Sequence, residues 1–590
     1  MKSVIACLAP EVCDVARVEA ALRELAEPDV CIVLLPLGGL AGGEGAQSHA
    51  DLAPALAALH DFARRSSIYF VGAHQLTGGE IFGFILDPQA TSPLLQAAIG
   101  GGQGAAKVEV VETPAGLLAC LPDVDILHPE YARLALFSGA EILLNPCRER
   151  ADERSAARHF SRGARAWENF AYVASCSATV QEIWHPSGQL LVESREHAAS
   201  ARLDPRSLRS KRAEPWVNFP AQLRTALYAR EYANAASRPA ASEPELEAYD
   251  VLVMQSHQVF VAGAETRDAT IETNLKQALG LARLFAMRPT TQLVVFPEFF
   301  LQGSGMSQPL EYWERCGIRI PGPETEALAA FAKSCNVYVS GAVLEYDPSW
   351  PRRFFNTAII IAPSGEIILR YRKLQCADLN GLLNVTTPGS IHAEYVERYG
   401  ADALVPVVDT PIGRLGALIC FDSNWPELWR ALAMKGAEVI CNPTSEIHSN
   451  RRPHWYQAKR AHAAENLFYV ASANAGSEQL FPGAPITSMN RGHSALIDYH
   501  GELAACADGP GVVPLLGRIE LGALRRARAA LADNPQVRFR PEAVAAGYAN
   551  FPGFPLDCFL QTPMEKAAEG PALVEAHIAK LQTLGILRGP

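Results

Sequence analysis

Short apolar runs alternate with amphipathic segments along the whole chain. Leu415–Ile419 (LGALI) is one such run, the pattern of a strand buried on both faces. Pro426-Glu427 then opens a segment in which Leu428, Ala431 and Leu432 share one helical face, with proline in the first turn where its missing N–H costs nothing. Gly436 is placed to end that helix, and an apolar strand Glu438–Cys441 follows. A second helix is predicted from about Pro453 to Asn466, leading into the strand LFYVASA. The first ten residues, MKSVIACLAP, carry an apolar run shorter than the roughly 7–15 residues of a signal-peptide core, so they predict a first strand. No run approaches the roughly 18 residues of a membrane helix. Short buried strands alternating with helices predict layered α/β units.

The pattern occurs twice. TPAGLLACLPDVDILHPE from Thr113 and TPIGRLGALICFDSNWPE from Thr410 align at a fixed offset of 297. With no gap, Gly139-Ala140-Glu141 then meets Gly436-Ala437-Glu438, Asn145-Pro146 meets Asn442-Pro443, and Glu168-Asn169 meets Glu465-Asn466. About a third of the positions are identical, which reads as an internal duplication. Earlier, VCIVLLPL (Val30–Leu37) parallels QLVVFPE (Gln292–Glu298) at an offset of 261. The second copy is therefore the longer one, and added loops near a site are where specificity is usually built. The Pro/Ala/Ser/Glu-rich segment Ser237–Glu247 has linker composition. The expected domains are 1–236, a linker 237–247, and 248–590 with a C-terminal extension from about 540.

Composition narrows the function classes. A chain of 590 residues with 49% hydrophobic and 19% charged residues is built for packed cores, and more than one of them. The net charge of −11 and the lack of a Lys/Arg stripe argue against a nucleic-acid partner. Thirteen cysteines occur without a CxxC pair or a Cys/His ligand spacing. Reduced thiols in a cytoplasmic protein, with no metal and no cofactor, are the simpler expectation.

Three groups could carry chemistry. Cys420 falls between a buried strand and a helix N-terminus, a setting that exposes a thiol and favours thiolate. Glu298 ends the apolar run LVVFPE and could act as a general base. Lys373 lies in LRYRKLQ. Taken singly, each has a plainer reading: a core thiol, a solvated turn carboxylate, a surface cation.

Together, Glu in FPE, Lys in YRK and Cys in LIC resemble the nitrilase or carbon–nitrogen hydrolase superfamily over about 250 to 560. ICFDSNWPELWRALAMKGAE is most similar to its aliphatic amidase and formamidase branch, as is GHSALIDYHGEL. Nitrilases proper usually carry Trp-Glu after the cysteine, whereas Phe421-Asp422 stands here and favours an amide over a nitrile. The resemblance implies two tandem αββα sandwich domains and a thioester mechanism. Cys420 would attack the carbonyl carbon, Glu298 would move protons, and Lys373 with the Phe421 N–H would hold the oxyanion. Phe299, Trp425, Glu446 and His448 lie beside these motifs as candidate pocket walls. The second glutamate that family members often carry shortly after the lysine is absent; Asp378 and Glu394 are the nearest carboxylates, and neither is assigned that role. An N-carbamoyl hydrolase, a nitrilase and a non-enzymatic amide-binding sensor or scaffold stay open as alternatives.

The first copy lacks this chemistry. Asp123 stands at the position of Cys420 and Leu37 at that of Glu298, and no lysine falls between Phe82 and Ala106. Cys120, three residues before Asp123, reads as core without a base beside it. Family members resembling this chain pair through the helices that follow the cysteine, and the first copy best preserves Pro129–Ala140 and the run to Asn169. The expected partners are therefore a small amide and, within the chain, the two halves themselves as a pseudo-dimer, with further homo-oligomerisation left open.

Overall fold

The computed structural model describes residues 3–9, 14–38, 40, 48–101, 106–149, 155–209, 218–234, 246–304, 308–374, 381, 383–447, 454–479, 484–487, 491–530 and 534–589. The expected first strand runs from Val4 to Leu8. It lies parallel to Val30–Leu37, which in turn lies parallel to Tyr69–Gln75. Ile81–Leu86 and Leu94–Ala97 extend this sheet antiparallel, and Ala198–Arg202 closes its other edge, giving six strands. A second six-stranded sheet has Ile142–Pro146 between Gly116–Cys120 and Tyr172–Cys176, all parallel.

Alternate residues of one strand feed different cores, as the pleat requires. Ile32 and Leu34 meet Leu118, Leu144 and Ala174 of the other sheet. Val33 and Leu35 point the other way, onto Leu52, Leu56 and Leu59 of the helix His49–Ser66.

The second half repeats this plan with longer strands. Thr291–Glu298 lies parallel between Ala248–Gln258 and Tyr338–Glu345, followed antiparallel by Phe355–Ile361 and Ile367–Arg372. Val439–Thr444 lies parallel between Gly413–Ala417 and Tyr469–Glu478. Ser256–Gln258 pairs with Ala475–Glu478, so these strands join into one twelve-stranded sheet. The resembling segment GHSALIDYHGEL supplies the antiparallel strands Ala495–Ile497 and Leu503–Cys506.

Four helices bring the halves together: α1 (Pro129–Phe137), α2 (Ser155–Asn169), α3 (Pro426–Met434) and α4 (His454–Asn466). Gly139 and Gly436 end α1 and α3 at φ 89° and 81°, the left-handed conformation glycine permits. Ala164 of α2 packs on Ala458 and Ala461 of α4. A Cβ on Gly163 would come within 2.8 Å of Trp184 and 3.1 Å of Gln457, so close helix approach depends on that glycine.

The C-terminal extension folds back on the first half. Tyr548, in the helix Pro541–Asn550, packs against Phe137 and Tyr232 at 5.2 and 5.0 Å between ring centroids. Most of the expected linker lies outside the described residues; Leu246 and Glu247 lead directly into the strand at Ala248. Among the described residues no helix is long and apolar enough to cross a membrane, and every described cysteine is a free thiol.

Candidate active site

Glu298 is the last residue of a buried strand and is itself 1% exposed. Its Oε1 accepts from Lys373 Nζ at 2.9 Å and from Asn356 Nδ2 at 2.6 Å. Its backbone carbonyl accepts from Gln258 Nε2 at 2.6 Å, while Oε2 has no hydrogen-bond partner among the described residues. One carboxylate oxygen is thus held and the other is free to exchange a proton. Phe299, next in the chain, takes φ 61° and bends the backbone away; its N–H donates to the Ala342 carbonyl at 2.9 Å.

Lys373 directly follows the strand Ile367–Arg372, and its N–H donates to the Asn356 carbonyl at 2.8 Å. One residue, Asn356, therefore sets both the lysine backbone and the glutamate side chain. Burial by itself would lower the ammonium's affinity for its proton, but Glu298, Cys420 and Asp422 together raise it, so the group is charged.

Cys420 opens a turn, Cys420–Asn424, that precedes α3, and it takes φ 45°. A non-glycine residue in that conformation is held by its surroundings. Asp422 supplies part of the hold: its Oδ2 accepts from the Tyr371 hydroxyl at 2.6 Å and from the Leu374 N–H at 3.4 Å. The lysine strand and the cysteine turn are tied together through this buried carboxylate.

The helix terminus does not decide the protonation of Cys420. Burial pushes the Cys420 thiol up to about 12, and the Glu298 and Glu446 carboxylates add to that. Lys373 and the Ser445 N–H oppose it without winning. The helix-terminus field is too small, at typically under about 1 kcal/mol, to offset desolvation of the anion. The resting group is a thiol, so attack requires a base.

The candidate pocket walls divide. Phe299 is buried among Leu310, Trp313, Leu344 and Phe354, so it backs the site rather than facing a ligand. Trp425 is fully buried between Phe421 and Phe219, each 5.4 Å away, and also serves as packing. Glu446 is half-buried; it pairs with Lys459 at 2.7 Å and borders a cavity of about 10 Å³, room for one water. His448 lies outside the described residues, as does Asp378. Glu394 pairs with Arg398 on an exposed helix face.

Sequence reasoning missed Asn356, Gln258 and the structural use of Asp422. Asn356 had one legible signal, an amide inside the otherwise apolar strand FNTAIII. It also missed the loop beside the thiol, where Arg491 donates to the Ser445 carbonyl and to Glu478.

Comparable backbone contacts occur in the first half, with other side chains at the positions of the three groups. Ala98 occupies the position of Lys373: its N–H donates to the Ile81 carbonyl at 2.8 Å, as Lys373 does to Asn356. Leu37 pairs with Ala73 beside the same register shift at which Glu298 pairs with Ala342. Asp123 takes φ 50°, against 45° for Cys420. Asp125, at the position of Asp422, accepts from the Ile99 N–H at 2.7 Å, the counterpart of the Leu374 bond. Cys120 is fully buried, and burial raises its thiol further still.

A carbon–nitrogen hydrolase family model matches residues 258–513. The omega-amidase NIT2-B of Xenopus laevis is 30% identical over 234 residues, 40% of this chain and 78% of that protein. A formamidase from Bacillus thuringiensis is 35% identical over 219 residues, 36% of this chain and 59% of that protein. Among solved structures, Saccharomyces cerevisiae Nit3, a member of branch 10 of the nitrilase superfamily, aligns at 22% identity with a TM-score of 0.40. That alignment covers 51% of this chain and all of that one.

Proposed function

Because this chain belongs to the carbon–nitrogen hydrolase family, we propose that it hydrolyses the C–N bond of a small linear amide through a thioester on Cys420, releasing ammonia or an amine. The observation that carries this reading is the buried Glu298–Lys373 pair, 2.9 Å apart, acting electrostatically on the Cys420 thiol.

Glu298 takes the thiol proton as sulfur attacks the amide carbon, which avoids a free thiolate in a buried site. The Lys373 ammonium and the Phe421 N–H receive the charge that develops on the carbonyl oxygen. Glu298 passes its proton to the leaving amine, then removes one from the water that hydrolyses the thioester. The similarity to omega-amidases and formamidases supports an amide over a nitrile.

The first half is proposed to be a degenerate copy of the same αββα unit that takes the place of a partner subunit. The framework shared by Ala98 and Lys373, and by Asp123 and Cys420, supports this, as do the ionic contacts at matching offsets.

Ammonia release across a panel of amides, carbamoyl compounds and nitriles tests the activity, with mass spectrometry of the trapped enzyme. The expected result is a substrate-derived acyl adduct on Cys420 that is absent from Cys420→Ser. Turnover that persists in Cys420→Ser would exclude the mechanism, and carbon dioxide released with ammonia would favour a carbamoyl substrate.

A further inference from the structure

We infer that Trp167, in the first half, is a positioning residue for the turn that carries Cys420. The inference rests on reading Cys420 as the nucleophile.

The indole Nε1 of Trp167 donates to Asn424 Oδ1 at 2.9 Å, between two buried side chains. Asn424 is the last residue of the turn that Cys420 opens. Its own Nδ2 donates to the carbonyl of Phe421 at 3.0 Å. A hydrogen-bonded chain thus runs from the first half to Phe421, whose N–H is the proposed oxyanion donor. The Phe421 carbonyl lies in the 421–422 peptide plane and its N–H in the 420–421 plane. Anchoring the first narrows the φ and ψ open to Phe421, and so the directions open to that N–H.

A second route joins the same ends. Trp167 meets Phe219 at 5.2 Å, Phe219 meets Trp425 at 5.4 Å, and Trp425 meets Phe421 at 5.4 Å. The first two of these contacts are edge-to-face and the third is tilted, geometries that define orientation as well as filling space.

The contact is one-sided, unlike the exchanged ion pairs between the halves. Arg133 pairs with Glu427 and Arg430 with Glu130, an exchange between matching positions. At the 297 offset the counterpart of Asn424 is Leu127 and that of Trp167 is Ala464. Neither side chain can hydrogen-bond. The exchanged ion pairs act alike on both halves, whereas this contact acts only toward the turn bearing the thiol.

The test uses the full-length protein with Trp167→Phe, Asn424→Leu and the double variant. Three quantities are read: kcat and KM on the amide turned over best, the alkylation rate of Cys420 by iodoacetamide, and the thermal midpoint. The inference expects each single variant to lower kcat and Cys420 alkylation about tenfold, since small displacements of reacting groups are costly. KM should stay within about twofold, and the double variant should be no worse than the worse single. Asn424→Leu installs the residue the first half carries, so it removes the bond from the other side if Trp167→Phe does not fold. Unchanged kcat and alkylation in a folded variant, or effects that multiply in the double, would overturn the inference. A wild-type protein that turns over no amide, yet whose alkylation falls in both variants, would defeat the amide reading and leave the positioning role standing.

Discussion

Arg133 donates from Nε to Glu427 Oε1 at 2.9 Å, and neither side chain has exposed surface. Each belongs to a different half, and the positions 297 residues away, Arg430 and Glu130, make the same contact with the roles of the halves exchanged, also at 2.9 Å. A second set sits beside it: Arg165 reaches Glu465 at 3.0 Å, while His462 reaches Glu168 at 2.7 Å. Buried ion pairs contribute little net stability compared with apolar packing, but losing one partner strands a charge.

Arg133→Ala is therefore expected to destabilise the protein by about 3–5 kcal/mol, because Glu427 is left buried without its cation. Tyr548→Phe, which removes a 2.8 Å bond to the same oxygen, should cost less, about 1.5–3 kcal/mol. Chemical denaturation reads both. The exchanged pair Arg133→Glu with Glu427→Arg should recover part of the loss; no recovery would mean the pairing is not what holds this point.

Stability should fall at both ends of the pH scale through the second cluster. Burial works against the Glu465 anion, but Arg165 and His462 prevail and hold it at about 2. Its contribution is present above its ordinary 4.5 and is lost as pH drops from there toward 2. His462 moves the other way: burial opposes its charge, but Glu168 and Glu465 raise it above 6.5. Its contribution is complete below 6.5 and is lost as pH climbs through the raised value. In thermal unfolding across pH, Glu465→Gln should flatten the acid limb and His462→Gln the alkaline limb.

Cys420 should alkylate as a thiol. With its titration near 12, the rate should climb by about tenfold per pH unit from pH 7 to 10. A plateau from pH 7 upward, measured on the Cys420 peptide, would show a resting thiolate and remove the need for Glu298 as base.

Glu298→Gln should lower kcat by about 10²–10⁴-fold, the usual worth of a positioned general base. Lys373→Met should cost about 10²–10³-fold as a lost oxyanion donor. Ammonia release compares them. The Lys373 variant should also release Glu298 Oε1 from its 2.9 Å partner, so its pH–rate profile should shift where that of an interface variant does not.

Expressed alone, residues 248–590 should self-associate or aggregate, and should keep less than about a tenth of the activity. Glu427, Arg430, His462 and Glu465 would lose their partners from the first half, and the contact from Trp167 would go too. A stable, monomeric, fully active fragment on size exclusion would refute the proposed role of the first half.

Much of this was legible in the residues themselves. Apolar runs and their punctuation located the strands around Glu298 and Cys420, since strand burial and helix capping are local in sequence. Gly436 and Pro426 bounded α3 as expected. The fixed offset of 297 matched Asp123 to Cys420, because an ungapped register needs no coordinates. What the sequence could not supply is whatever depends on groups distant along the chain meeting in a dry interior. That Asn356 serves both Glu298 and Lys373 follows from strand register. That the Cys420 thiol keeps its proton follows from burial beside two carboxylates, which outweighs the helix terminus the sequence suggested. That Trp425 faces Phe219 instead of a ligand, and that Trp167 reaches Asn424 across 257 residues, are settled by how the two halves pack. Local patterns determine which elements form and which residues can react; desolvation and long-range contact determine the protonation and orientation those residues hold.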